Sequence, residues 1–349
     1  MRSFYVFAAL LLFVLMDPFG TGASFGQSLP KFSGLMFGDY YYMMQNHDQT
    51  QKDMQAFEYR RIYLTADYTI ADGFWARFRL ESDPTASNLG NGKLSTMVKD
   101  AFLDWKNPIG TGDLVVGLQA TWNINMAEGI FGYRPLEKTI QDLHGISASR
   151  DLGLSLTQKF SDVFSAGFLL GNNSGNSGTF IPNAANVSTV NRYKSGYLYL
   201  QFIPINGFTI LLDGQYAGAP AQKNASTGDV IVNYANSDFS FGVQGFVNSI
   251  DHGEADGSAL QRNGISLNGW VALVDNVRLV ARYDYYTPNT DGTYKNLSIP
   301  NSTQNFILGA LDFAVRKNVH FMPNVEYTSY GMSGSRPDVL LRVTYFFSF

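Results

Sequence analysis

The chain has 349 residues, of which 45% are apolar, 15% aromatic and only 15% charged, with a net charge of −4 and no cysteine. Mean hydropathy is near neutral at −0.09, which excludes a bundle of membrane helices built on runs of about 20 apolar residues, while the abundant aromatics exclude a disordered chain. Without Cys there is no thiol catalysis, disulfide or Cys-ligated zinc, and an acidic chain gives nucleic acid no electrostatic footprint.

The first segment reads as an address. Arg2 supplies a positive charge, Phe4 to Met16 form a short apolar core, and Asp17-Pro18 break it. Small residues at Ser24 and Gly26 suit cleavage before Gln27, so residues 1–26 are expected to be a secretory signal peptide, too short for a spanning helix. Residues 27–349 are then the mature chain.

After Gln27 the apolar period is two. Leu152, Leu154 and Leu156 alternate with Gly153, Ser155 and Thr157. The same rhythm runs through Phe164–Leu170, Leu198–Phe202, Phe208–Leu212, Phe239–Val243 and Val277–Ala281. One face is greasy and the other small, polar or charged. Short turns near 71–73, 107–112, 161–163, 204–207, 236–238, 275–276 and 316–318 alternate with longer polar loops. The pattern predicts an all-β chain: a transmembrane antiparallel β-barrel of about 16 strands, with short turns at one rim and long loops at the other. Ile62, Leu64, Leu154, Leu156, Leu341 and Val343 are expected to face lipid. Tyr68, Phe74, Trp105, Phe160, Phe164, Phe202, Phe208 and Phe239 recur where strands meet short turns, as an interfacial girdle would. The last strand alternates Val339, Leu341, Val343, Tyr345, Phe347 and Phe349. A terminal Phe on such a strand resembles the signal read by the outer-membrane insertion machinery of Gram-negative bacteria.

The segment from Glu58 to Phe160 carries EYRRIYLTADYTIADGFWARFRLESD at 58–83, VKDAFLDW at 98–105 and LVVGLQATW at 114–122. It then carries GYRPLEKTIQDLHGISASRDLGLSL at 132–156, with Ser149-Arg150-Asp151-Leu152-Gly153 as its closing element. In order and spacing this resembles the phosphate-selective porin (O/P type) superfamily. The resemblance implies a 16-stranded, usually trimeric barrel whose third loop folds inward, with basic side chains at the eyelet.

The second and third strands are the most polar pair. Strict alternation places Tyr59, Arg61, Tyr63, Thr65 and Asp67 on the lumen face, then Trp75, Arg77, Arg79, Glu81 and Asp83. A hairpin centred on Asp72 puts Asp67 opposite Arg77 and Arg61 opposite Asp83. The arginines are either wall struts in cross-strand pairs or a basic strip at the pore, with Asp100 and Asp104 setting a transverse field. Loop 120–149 is the longest connection. It has no obvious element of its own, yet Trp122, Ile124, Met126, Ile130, Phe131, Tyr133, Leu136 and Ile140 need a wall to pack on. Glu137 and Lys138 are expected to pin it, and Arg134 and Lys138 are its best anion contacts, with Arg150 just beyond. Counting strand residues alone, Lys159, Arg278, Arg282 and Arg342 join the three arginines in the lumen, against a similar number of acids.

The four His residues are far apart, without metal-ligand spacing, and three of them read as solvated loop residues. Nothing calls for a cofactor, a metal or a catalytic centre. The functional expectation is a passive outer-membrane porin for small hydrophilic solutes and ions, weakly favouring anions. Its partners would be outer-membrane lipid and lipopolysaccharide, the insertion machinery through Phe349, and two further copies in a homotrimer. A saturable phosphate or anion channel, or a plugged structural or adhesive barrel, are the alternatives.

Overall fold

The computed structural model describes residues 29–84, 95–173, 175, 193–254, 256–288 and 302–349. The expected signal peptide, residues 1–26, lies outside them. The first five strands are β1 (Lys31–Gln45), β2 (Gln55–Ala71), β3 (Phe74–Ser82), β4 (Thr96–Lys106) and β5 (Asp113–Ala120). Two helices follow, α1 (Trp122–Phe131) and α2 (Ile140–Leu143). Next come β6 (Arg150–Lys159), β7 (Phe164–Gly171), β8 (Ser195–Ile205), β9 (Phe208–Ala217), β10 (Ala225–Ala235) and β11 (Phe239–Ile250). The chain ends with β12 (Leu260–Val274), β13 (Val277–Thr287), β14 (Gln304–Arg316), β15 (Val319–Tyr330) and β16 (Asp338–Ser348). Every strand is antiparallel to its sequence neighbours, and β1 pairs with β16 to close the ring.

Period-two patterning forces this arrangement. In β13 the outward residues Leu279, Tyr283 and Tyr285 are exposed, whereas Val280, Arg282, Asp284 and Tyr286 are buried. Exposed Leu154, Phe168, Leu198, Val232, Phe241, Ile307 and Val343 repeat that polarity around the ring. This is the reverse of a water-soluble sandwich, and it suits a wall with hydrocarbon outside. Aromatic rings meet at the short-turn rim, where Phe74 stacks on Trp105 and Phe164 lies between Phe160 and Phe202. The tight turns use residues that local sterics demand. Gly73 and Gly207 adopt φ of 76° and 82° in the β2–β3 and β8–β9 hairpins. A Cβ at Gly207 would lie 2.2 Å from the Ala235 carbonyl oxygen.

The loop between β5 and β6 is a correction to the sequence reading, because it has an element of its own. Ten residues wind into α1, which ends at Gly132 with φ 73°. Local helix fits a segment that leaves the ladder: away from partner strands, its N–H and C=O groups must bond internally. Apolar residues sit on several sides of α1, since it is packed against the wall rather than laid on a surface.

Phe349 extends the seam. Its N–H donates to the Gly34 carbonyl and its carbonyl accepts from the Gly34 N–H, both at 3.0 Å. Deleting Phe349 is therefore expected to weaken closure by about 1–3 kcal/mol. Refolding yield and the temperature of heat-modifiable band shift in gel electrophoresis check it, and both are expected to fall.

Candidate pore constriction

Arg77 makes a two-point ion pair with Asp67 at 2.7 and 2.9 Å, the cross-strand opposition expected from the hairpin. Arg61 departs from it, since its carboxylate is Glu81 at 2.7 Å rather than Asp83. Arg79 reaches Asp100 at 3.1 Å and the Thr65 hydroxyl at 2.8 Å. Arg150, at the start of β6, takes the other side of Asp100 at 2.5 Å. Asp104 sits lower on β4 and pairs with Lys106 at 2.9 Å. Asp100 therefore neutralises the basic strip instead of opposing it, and Asp104 is taken up by Lys106.

Two cations that strict alternation misses complete the cluster. Both β2 and β4 bulge, with Arg60 and Lys99 as the extra residues. A bulge turns two consecutive side chains toward one face. Arg60 meets Asp39 at 2.5 Å beside inward Arg61, and Lys99 meets Glu81 at 2.8 Å beside inward Asp100. The phase change lies between Tyr59 and Arg61, so alternation carries Tyr59 into the lumen set wrongly. A signal existed in the sequence. A charge on the lipid face costs about 2–4 kcal/mol near the midplane, so tandem Arg60-Arg61 and Lys99-Asp100 demand bulges. In these pairs six cations, Arg60, Arg61, Arg77, Arg79, Lys99 and Arg150, share the carboxylates of Asp39, Asp67, Glu81 and Asp100.

The inward loop faces this strip and packs on the opposite wall. Trp122, Met126, Ala127 and Ile130 of α1 contact Tyr199, Leu211 and Ile231 on β8–β10. Phe131, Tyr133 and Leu136 join Val280, Phe306, Leu308 and Met322 on β13–β15. Ile140 and Ile146 meet Phe246 and Tyr286. Full burial of Ile124, Leu136 and Ile140 contributes about 1.5–3 kcal/mol each.

Arginines then clamp the loop backbone. Arg60 donates to the Pro135 carbonyl and, at 2.9 Å, to that of Leu136. Arg342 donates to the same Leu136 carbonyl at 2.7 Å, and Arg282 to that of Lys138. Glu137 pins the loop as expected, 3.7 Å from Arg342. Lys138 does so only through its backbone carbonyl; its ammonium has no ion pair among the described residues. Arg134, expected as an anion contact, is held within the loop by Glu128 at 2.6 Å and Asp142 at 3.5 Å. Glu128 and Asp142 are the acids that confront the strip.

Two smaller expectations fail. His144 is not a solvated loop residue: it stacks on Tyr286 with centroids 3.6 Å apart, and His47 and His320 pair with Asp338 and Asp312. Lys159 is not in the lumen either, since it pairs with exposed Asp162 at a short turn.

Side-chain exposure shows where water runs. Arg77 retains 27% and Arg79 20%, and across from them Glu128 retains 22%. Arg282 retains 1% and Arg342 4% beneath the loop. Among these charged side chains, those that keep most contact with water are thus Arg77 and Arg79 of β3 and Glu128 of the loop.

Solved structures share this architecture. An anion-selective porin from Comamonas acidovorans superposes with a TM-score of 0.65 at 13% identity, over 93% of this chain and 100% of the other. The chain has the porin fold. The outer membrane channel DcaP of Acinetobacter baumannii gives 0.65 at 11%, over 95% and 99%. Salmonella typhi OmpF gives 0.63 at 11%, over 92% and 97%. No family model and no curated protein matches the sequence. The likeness is thus to porin barrels of several kinds, and the narrower phosphate-selective type is not singled out.

Burial pushes the Glu137 carboxyl up, but Arg342 and Arg60 outweigh it and hold it below its ordinary 4.5. Burial lowers His144 from 6.5 to about 4. Both groups act in the same direction: their stabilisation is full above the unfolded values and is lost as pH falls. For His144 that loss spans about 6.5 to 4, and for Glu137 it begins below 4.5. Between pH 7 and 5 the thermal unfolding temperature is expected to drop, and His144→Phe is expected to flatten that drop. Arg342→Ala strips the partner from buried Glu326 and loosens Leu136, with an expected cost of about 3–5 kcal/mol. Single-channel recordings of that variant are expected to show added closures and noise.

Proposed function

We propose that this porin barrel is an outer-membrane diffusion channel for small hydrophilic solutes and ions, exported by a cleaved signal peptide and assembled as a homotrimer. The observation that carries the reading is a closed ring with an apolar exterior and a charged interior, in which Arg77, Arg79 and Glu128 keep part of their surface in water. A loop packed on β8–β15 and anchored by Arg342 of β16 and Arg60 of β2 narrows such a ring. The barrel folds through its final Phe, and its apolar belt contacts lipid and lipopolysaccharide.

The proposed ion preference is weak and anionic. Six cations on four carboxylates leave a local positive surplus on the strip, and Glu128 and Asp142 offset part of it across the passage. Selectivity then follows the local field at the narrowest point rather than the net charge of −4. Arg61, Arg77, Arg79, Lys99 and Arg150 line the positive side, with Lys138, which has no ion pair among the described residues, a further cation on the loop.

Planar-bilayer recording under a salt gradient tests the reading. A linear, non-saturating current with a small anion-directed zero-current potential is expected. Saturation would favour a specific binding channel, and absence of current a plugged barrel. Arg77→Ala with Arg79→Ala is expected to move the potential toward cations, most at low salt where screening is weak. Glu128→Gln with Asp142→Asn is expected to move it the other way. If neither pair shifts the potential, the strip is a set of wall struts.

A further inference from the structure

One buried carboxylate pair in the lumen lacks what the others have. Asp39, Glu81, Asp100, Asp284 and Glu326 each meet an arginine or lysine. Asp213 on β9 and Asp229 on β10 stand directly opposite each other in the ladder, both buried. Among the described residues neither has a cationic partner within ion-pair distance. Both oxygens of Asp213 and one of Asp229 accept no hydrogen bond. The remaining Asp229 oxygen accepts from the Gln244 amide at 3.0 Å.

The inward loop supplies the second observation. Gln141 of α2 is fully buried with its amide nitrogen toward Asp229, and its amide oxygen has no hydrogen-bond partner. Such a group normally finds a partner, because an unsatisfied buried amide costs about 1–3 kcal/mol. Asn123 of α1 adds an unpartnered, buried side-chain oxygen nearby; its amide nitrogen donates to Gln215, two residues along β9 from Asp213.

We infer that Asp213, Asp229 and Gln141 form a binding site for a hard divalent cation, with Ca²⁺ as the best fit. The atoms able to ligate are carboxylate oxygens of Asp213 and Asp229 and the Gln141 amide oxygen, and no His or thiol is among them. That donor set selects against softer transition metals. Ca²⁺ accepts carboxylate and carboxamide oxygens in an irregular shell of six to eight, completed here by water, whereas Mg²⁺ demands a near-ideal octahedron. The ion would neutralise the facing carboxylates and tie the loop to β9–β10, on the side away from the charged strip. The site is independent of the conduction reading, and its test reads binding rather than current.

The test uses the full chain refolded in detergent without lipopolysaccharide, stripped with chelator and titrated with Ca²⁺ by calorimetry. One Ca²⁺ per chain is expected, with weaker binding of Mg²⁺, and saturating Ca²⁺ is expected to raise the unfolding temperature. Asp213→Asn with Asp229→Asn is expected to abolish both effects. Gln141→Ala, which leaves the strands untouched, is expected to weaken binding about tenfold and serves if the double variant fails to fold. Wild-type Ca²⁺ binding retained by whichever of these variants folds overturns the site. So does absence of binding in the parent with an infrared carboxylic-acid band that disappears in Asp213→Asn, which would assign the pair a shared proton.

Discussion

Closure of the β1–β16 seam is the constraint on which the rest of the molecule depends. A strand edge in hydrocarbon leaves N–H and C=O groups with no water to bond, at several kcal/mol each. Ten paired positions join β1 to β16, from Leu35–Ser348 to Gln45–Val339. Once the ring is shut, alternation sorts every side chain into one of two solvents. The outer one takes Leu, Val, Ile and Phe, while the inner one takes nearly all the strand charges.

That sorting explains why the lumen is so densely paired. Charges excluded from lipid are crowded onto inner faces, where low dielectric makes an unpaired one expensive. The wall answers with cross-strand partners, and where alternation alone would waste a charge, a bulge redirects it. Arg60 and Lys99 are such cases: Arg60 takes Asp39, and Lys99 takes the Glu81 carboxylate that Arg61 also holds. The same density gives the inward loop its anchors, since guanidinium groups already fixed by Asp39, Asp284 and Glu326 have donors left for backbone carbonyls at 135, 136 and 138.

The loop works as a second core inside the barrel. Its apolar residues pack on inward Leu211, Ile231, Phe246, Val280 and Leu308, positions that interrupt an otherwise polar lumen. The side beneath the loop is thereby closely packed, with its ion pairs buried, while Arg77 and Arg79 across from it keep part of their surface in water. The field inside the barrel follows the charges that keep contact with water, so the overall charge of the chain says little about it.

Strand number, turn positions and the inward course of residues 120–149 were legible in the sequence, because each rests on neighbours in the chain. Period-two polarity, glycines at tight turns and an apolar loop in need of a wall are local signals. The Asp67–Arg77 pair was legible too, since the short hairpin is centred on Asp72 for every pair from Thr69–Trp75 outward. Arg61 choosing Glu81, Arg134 turning to its own loop, and His144 under Tyr286 were not. Those contacts depend on bulges and on which wall the loop lands against. Arg342 meeting Glu137 and Thr344 meeting Asp39 arise only when the ring closes and brings the two ends of the barrel together. The sequence by itself determined a closed barrel with a charged interior. Tertiary structure decided which charges neutralise one another and which stay in water, because ion pairing depends on distance in space, and alternation specifies only the face.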